Sequence, residues 1–181
     1  MKKILSGFVF TCVVGLAGTA AQPRGTVEVS FTYTRQGGFA SNQFAIWIED
    51  ARGNHVKTLY ATAFTAAGGW KIREQSLPLW VQKANIGGLG KNEIDVFTSA
   101  TPGSGTLRYR WDGKDSAGQA VPAGEYRVYV EATLRSENRV LYSAPVQLGG
   151  QSGEAQVQSR YFGSGSAERG MIGNLRVRVE S

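Results

Sequence analysis

The longest alternation of apolar and polar residues in the chain is Tyr126-Arg127-Val128-Tyr129-Val130-Glu131-Ala132-Thr133-Leu134-Arg135. Successive side chains of a β-strand point to opposite faces, so this period of two predicts a strand with one apolar face. Similar alternations occur near both ends of the chain, in Val27-Glu28-Val29-Ser30-Phe31-Thr32-Tyr33 and from Leu175 to Glu180. Apolar residues almost nowhere recur at the spacing of a helix. The chain is therefore predicted to be all-β.

A second kind of strand is indicated by the continuous apolar run Phe44-Ala45-Ile46-Trp47-Ile48, which is typical of a strand buried on both faces. Seven to nine short strands separated by turn signals predict an antiparallel two-sheet sandwich, formed by a single domain over residues 22–181. One segment departs from this pattern. Ser76 as an N-cap and Pro78 in the first turn predict one short helical turn that continues to Ala84.

Residues 1–21 have the features of a secretory signal peptide. Two lysines precede an apolar stretch that is too short to span about 30 Å of hydrocarbon, and Thr19 and Ala21 provide the small residues of a cleavage site. We expect cleavage near Ala21, a periplasmic or extracellular location, and no membrane span in the mature chain. The only cysteine, Cys12, lies within the leader. Disulfides, thiolate catalysis and cysteine-ligated metals are therefore excluded from the mature protein.

The charge of the chain gives no indication of a nucleic-acid partner. The formal net charge is +6, from 20 basic and 14 acidic residues, but the arginines are scattered one or two per strand. A nucleic-acid site needs its cations clustered, so we predict solvated strand faces and no nucleic acid. The single histidine, His55, is interpreted as hydrogen-bonded or solvent-facing, because metal sites and catalytic triads need partners for it.

Two pairs of carboxylates are the remaining candidates for catalysis. Asp112 and Asp115 bracket Gly113-Lys114, and Glu93 and Asp95 flank Ile94. Either pair would suit a carboxylate-based hydrolase or a calcium site. For the first pair we favour a turn, in which aspartate oxygens accept backbone N–H groups two residues further on. The chain is therefore predicted not to be an enzyme, with no catalytic residue and no metal, and the hydrolase is kept as an alternative.

The segment from Trp111 to Tyr126 resembles the pattern W-D-G-x-D-x-x-G-x-x-V-P-x-G-x-Y of the Ig-like domain in flagellar hook-capping proteins and in other extracytoplasmic modules. The resemblance implies an Ig-like sandwich in which the tryptophan ends one strand and the tyrosine opens the next, pointing inward. The residues that carry it are predicted to form a structural turn: Trp111, Asp112, Gly113, Asp115, Gly118, Pro122, Gly124 and Tyr126.

A wider resemblance covers residues 42–60, 77–80, 95–113 and 126–132, which are similar to the predicted periplasmic proteins of domain-of-unknown-function family 2271. It implies a partner among the membrane and flavin-carrying proteins of extracytoplasmic electron transfer. We therefore predict a non-catalytic periplasmic binding or assembly module with an envelope protein partner, as an accessory of an electron-transfer system.

The segment Asp95-Val96-Phe97-Thr98-Ser99-Ala100-Thr101 is similar to the motif D-x-x-[ST]-G-A-[ST], at which flavin transferases attach FMN through a phosphoester. The resemblance implies Thr101 as the attachment residue, and Ser99 departs from it because glycine is expected there. A covalent FMN carrier is thus a further alternative to a protein without cofactor.

The four tryptophans, Trp47, Trp70, Trp80 and Trp111, are compatible with either core or a surface patch, and the sequence does not separate these alternatives for Trp70 and Trp80. Trp47 and Trp111 lie within predicted strands and are expected in the core. Trp70 follows Gly68-Gly69, outside any strand pattern, and is the candidate for an exposed contact.

Overall fold

The computed structural model describes residues 25–38, 40–135, 138–163 and 170–181, so the predicted signal peptide lies outside the described residues. Ten strands occur in these ranges: β1 Thr26–Tyr33, β2 Gln43–Asp50, β3 His55–Thr62, β4 Thr98–Ser99, β5 Gly105–Trp111, β6 Gly124–Arg135, β7 Asn138–Leu148, β8 Gly153–Ala155, β9 Gln158–Phe162 and β10 Ile172–Glu180. The count exceeds the prediction because residues 153–162 form two strands and β4 is too short to show an alternation.

The strands form two sheets, which confirms the predicted all-β sandwich. The first sheet has the order β5-β1-β10-β8 and the second the order β4-β3-β2-β6-β7-β9. Every pairing in the two sheets is antiparallel except the two-residue contact of β3 with β4, which is parallel.

The main core lies between the two sheets. The apolar face predicted for β1 is buried throughout, and Phe31 of this strand meets the ring of Phe44 on β2 edge-on at 5.7 Å between centroids. Phe44 in turn stacks on Tyr60 of β3 at 4.8 Å. The alternation of β6 likewise directs Tyr126, Val128, Val130 and Ala132 into this core.

A second, smaller core lies on the outer side of the six-stranded sheet. Strand β2 is buried on both faces, as its apolar run predicts, and its second face presents Ala45 and Trp47. The chain between β3 and β4, residues 63–97, covers this face and is called the helical connection. It contains α1 Ala63–Ala66, α2 Pro78–Lys83, α3 Lys91–Asp95 and two 3-10 turns, Gly69–Lys71 and Ile86–Gly88. Trp80 of α2 is fully buried in it.

The helical turn predicted from Ser76 to Ala84 is present as α2. The prediction of a single helical turn is incomplete, because the helical connection contains three short α-helices and two 3-10 turns. The helical connection needs several short helical pieces because it must curve over the apolar outer face of β2. None of the helices in the described ranges is long and apolar enough to cross a membrane.

The predicted cap of α2 is wrong in its detail. The N-cap position is occupied by Leu77, whose φ is 53°, while the hydroxyl of Ser76 is buried and bonds the hydroxyl of Thr65 at 2.6 Å. The first-turn N–H groups of Leu79 and Trp80 instead donate to the carboxylate of Glu131 on β6, at 3.4 and 2.9 Å. A residue from the sheet therefore performs the capping that local sequence assigned to serine.

Candidate functional site

Large apolar side chains reach solvent in one part of the molecule. Among the residues that the structure describes, the exposed large hydrophobic side chains are Phe64, Ile72 and Val96, which are 44%, 85% and 86% exposed. All three belong to the helical connection. Together with the half-buried Trp70 they are called the connection surface.

An open depression of about 360 Å³ lies within the helical connection. Its apolar lining comes from α1, the second 3-10 turn and α3, and includes Ile86, Leu89 and Ile94. Trp70 and Lys71 form one part of the wall, and Lys91 and Asp95 of α3 form another. The depression is thus apolar inside with two lysines and one aspartate at its edge.

Trp70, the predicted contact residue, is half-buried at this depression. Its indole faces Gly87 closely enough that a methyl group added there would lie 3.6 Å from the ring. The Lys71 ammonium lies 5.4 Å from the indole centroid, within the range of a cation–π contact. Trp70 is therefore an anchored side chain with part of its surface available, and whether a partner uses it stays a prediction.

The segment from Trp111 to Tyr126 forms a closed turn. Strand β5 ends at Trp111, whose indole N–H donates to the carbonyl of Lys114 at 2.7 Å and whose ring meets Tyr126 at 5.0 Å. The Tyr126 hydroxyl donates to the carbonyl of Pro122 at 2.8 Å. The turn also covers the free edge of β3, because the backbone N–H of Ser116 donates to the carbonyl of Val56 at 3.0 Å.

The first carboxylate pair takes part in this turn. Oδ1 of Asp115 accepts the backbone N–H groups of Ala117 and Gln119 at 2.9 and 2.8 Å. Asp112 contacts Lys57 at 3.3 Å; burial raises its pKa, but this ion pair and the hydrogen bonds outweigh burial and leave the pKa below its ordinary value. These bonds are the ones that the turn interpretation predicts.

The second carboxylate pair is exposed on α3. Oε2 of Glu93 accepts the backbone N–H of Gly90 at 2.7 Å and so stabilises the start of that helix. Asp95 is exposed at the edge of the depression. Glu93 therefore accepts a capping hydrogen bond, whereas Asp95 faces solvent at the depression.

His55 is half-buried in a hydrogen-bonded chain. Its Nε2 lies 2.9 Å from the hydroxyl of Thr58, which also accepts the indole N–H of Trp80 at 3.1 Å. The hydroxyl hydrogen is therefore free to be donated to His55, which suits an imidazole that is neutral and unprotonated at Nε2. Burial lowers the pKa of His55, against a smaller effect of Glu49. In the described ranges, no three His, Cys, Asp or Glu side chains are placed to hold a metal ion.

Thr101 is half-buried just after β4. Ser99 lies in β4 and pairs with Thr62, in a backbone conformation outside the left-handed region. The carbonyl of Ala100 accepts the hydroxyl of Tyr60 at 3.2 Å. Position 99 therefore does not require glycine in this structure.

The fold is an all-β sandwich with a helical cover on one sheet. The chain belongs to the family described as predicted periplasmic protein (DUF2271), whose model matches residues 24–164. This description confirms the periplasmic location predicted from the leader. No curated protein and no solved structure matches the chain significantly. The similarity to hook-capping proteins and the link to electron transfer stay predictions.

Most of the connection surface could not be predicted from the sequence. Ile72 stands between Lys71 and Arg73, and Val96 lies beside Phe97 in a segment without the long alternation of a strand, so the sequence pattern marks neither position as exposed. An apolar residue in a connection was the available signal, and it is weak because such residues are common on protein surfaces.

Proposed function

We propose that the protein is a non-catalytic periplasmic binding module that contacts an envelope protein through the connection surface. The observation that carries this proposal is the location of Phe64, Ile72 and Val96, which expose apolar side chains within one connection. Exposed apolar area costs solubility without adding to the core, and its concentration marks contact surfaces.

The depression that Trp70 lines is an opening in the same helical connection that a side chain of the partner can enter. Tryptophan is enriched among the residues that dominate binding energy, especially where one part is packed and another part is accessible. Lys71 and Lys91 stand at its edge with Asp95. An apolar side chain of the partner would fit the lining of the depression. Acidic residues around that side chain would match the two lysines, whose charge exceeds that of the single aspartate by one.

The carboxylates support a module without catalysis. Those of Asp112 and Asp115 accept turn hydrogen bonds or pair with Lys57, and that of Glu93 caps α3. A hydrolase would need two such groups facing each other across a groove, about 5 to 10 Å apart. The electron-transfer association implied by the family resemblance would make the partner a redox protein of the envelope.

The experiment is a crosslinking pull-down from the native envelope with identification of the captured protein by mass spectrometry. Ile72→Glu and Val96→Glu place a charge on the connection surface at positions that are almost fully exposed, so the melting temperature should not change. Thr106→Glu adds the same charge at an exposed position of β5 on the other sheet and is the matched control. We expect one partner to be captured by the wild type and the control and lost in both surface variants. Equal capture by all four proteins would contradict the proposal.

The covalent FMN carrier is kept as a second candidate because Ser99 has an ordinary strand conformation. The intact mass of the protein from its native envelope tests it. Attachment at Thr101 adds the mass of FMN less one water and leaves flavin fluorescence after denaturation, and Thr101→Ala abolishes both. An unmodified mass removes this candidate and leaves the binding module unaffected.

A further inference from the structure

A second depression lies on the outer face of the six-stranded sheet, where the helical connection stops short of the last two strands. It has a volume of about 330 Å³ and lies between α2 and strands β7 and β9. Pro78 and Leu79 of α2 and Leu141 of β7 supply apolar lining. This site is separate from the connection surface and does not depend on the proposed function.

Two arginines and one phenylalanine form the other side of this depression. The guanidinium carbon of Arg139 lies 4.0 Å from the ring centroid of Phe162, and that of Arg160 lies 4.9 Å from the same centroid. Both cations are thus held against one ring by cation–π contacts. Such contacts orient the planar guanidinium groups without neutralising them.

Of the two guanidinium groups, that of Arg139 is paired with a carboxylate beneath the sheet surface. Among the described residues, no aspartate or glutamate lines the depression itself. Arg139 is positioned from below by Glu131, which is 1% exposed and accepts its Nη1–H at 2.8 Å. Arg160 is exposed, and within the described ranges no carboxylate lies within 4.0 Å of it. The depression therefore has one guanidinium that is paired with Glu131, a second without a carboxylate partner in the part of the chain that the structure describes, and an apolar floor.

We propose that this depression binds an apolar group that bears a carboxylate. Guanidinium groups bind planar carboxylates through paired N–H bonds, and the exposed guanidinium of Arg160, held against Phe162 beside the apolar floor, is placed to bind one. The apolar part of the ligand would cover Leu79 and Leu141. A bare inorganic anion would satisfy the charge and leave this floor exposed to water.

A titration followed by nuclear magnetic resonance tests the site. Phenylacetate is added to ¹⁵N-labelled protein purified from the periplasm, and the backbone amide signals of Gln82, Leu141 and Phe162 are recorded. We expect saturable shifts with a Kd of roughly millimolar order, as suits a ligand of this size. Phenylacetamide, which has the same shape without the charge, should bind at least about five-fold more weakly.

Two arginine variants test whether phenylacetate binding depends on Arg160. Arg160→Gln should weaken phenylacetate binding by about five-fold or more, while Arg108→Gln, an exposed arginine on the other sheet, should leave it unchanged. No saturable shift, equal binding of phenylacetamide or of inorganic phosphate, or unchanged binding in Arg160→Gln would each overturn the proposal.

The same titration distinguishes two sources of the carboxylate. An acetylated Ala-Phe dipeptide carries its carboxylate at a chain end. Binding at least as tight as that of phenylacetate would indicate the C-terminal residue of a protein. Binding of phenylacetate with exclusion of the dipeptide would indicate a free organic acid. Both results support an apolar carboxylate ligand.

Discussion

The guanidinium of Arg139 on β7 donates to the carboxylate of Glu131 on β6 at 2.8 Å, and this carboxylate also accepts the first-turn N–H groups of α2. One buried side chain thus connects two strands with the helical cover. Burial raises the pKa of Glu131, and the hydrogen bonds from Trp80 and Arg139 act in the opposite direction. Burial is the larger effect and leaves the pKa of Glu131 above its ordinary value, while both carboxylate oxygens accept hydrogen bonds.

Removal of this carboxylate should be costly. Glu131→Ala leaves Arg139 without its partner and the start of α2 uncapped, so we expect a loss of about 3 to 5 kcal/mol in the free energy of unfolding. Glu131→Gln keeps one acceptor and should lose less. Urea denaturation measures both. Glu28→Ala, which removes only long ion pairs with Arg108 and Arg110 at the surface, should cost under about 1 kcal/mol. Equal losses at both positions would contradict the assigned role.

The turn after Trp111 depends on a left-handed residue at Gly118, whose φ is 77°. A methyl group at Gly118 meets open space, as it does at Gly103, which has an ordinary φ. Gly118→Ala should therefore lower the free energy of unfolding by about 1 kcal/mol through backbone strain alone. Gly103→Ala should be neutral or slightly stabilising. Thermal denaturation of the two variants compares them directly, and similar melting temperatures would show that the turn tolerates another conformation.

Asp115 should behave as a structural residue. Asp115→Ala leaves the N–H groups of Ala117 and Gln119 without their acceptor, and we expect a loss of about 1 kcal/mol because water replaces part of each bond. Asp95→Ala, at an exposed position of α3, should change the free energy of unfolding by less than about 0.5 kcal/mol. Chemical denaturation at neutral pH measures both. A neutral Asp115→Ala variant would reopen a role for this carboxylate other than the turn.

His55 should make the protein less stable in acid. Its pKa is lowered in the folded state by burial, so the unfolded chain binds the proton first as the pH falls below about 6.5. The stability present above that pH is then lost as the pH falls towards the folded pKa. His55→Gln keeps a hydrogen-bonding group near Thr58 and should lose less stability between about pH 7 and pH 5. Denaturation at about pH 8, where both side chains are neutral, is the reference; parallel pH curves would contradict the prediction.

The alternation of apolar and polar residues was enough to predict the long strands and the main core. A period of two requires one face of β1 and of β6 to be apolar, and an uninterrupted apolar run requires β2 to be buried on both faces. The turn from Trp111 to Tyr126 was also predictable, because glycine, proline and aspartate specify backbone geometry through contacts over a few residues. Of the candidate site, Trp70 was singled out for its place after two glycines.

How the second face of β2 is covered, and which side chains lie at the surface of that cover, follows only from long-range packing in the folded chain. Glu131 caps α2 through the N–H of Trp80, which lies 51 positions away in the chain, and no local pattern encodes that pairing. Arg139, Arg160 and Phe162 are brought together by the pairing of β7 with β9 and by the point at which α2 stops. Side-chain burial and capping of this kind depend on which distant elements pack together, whereas strand formation depends on the alternation of neighbouring residues.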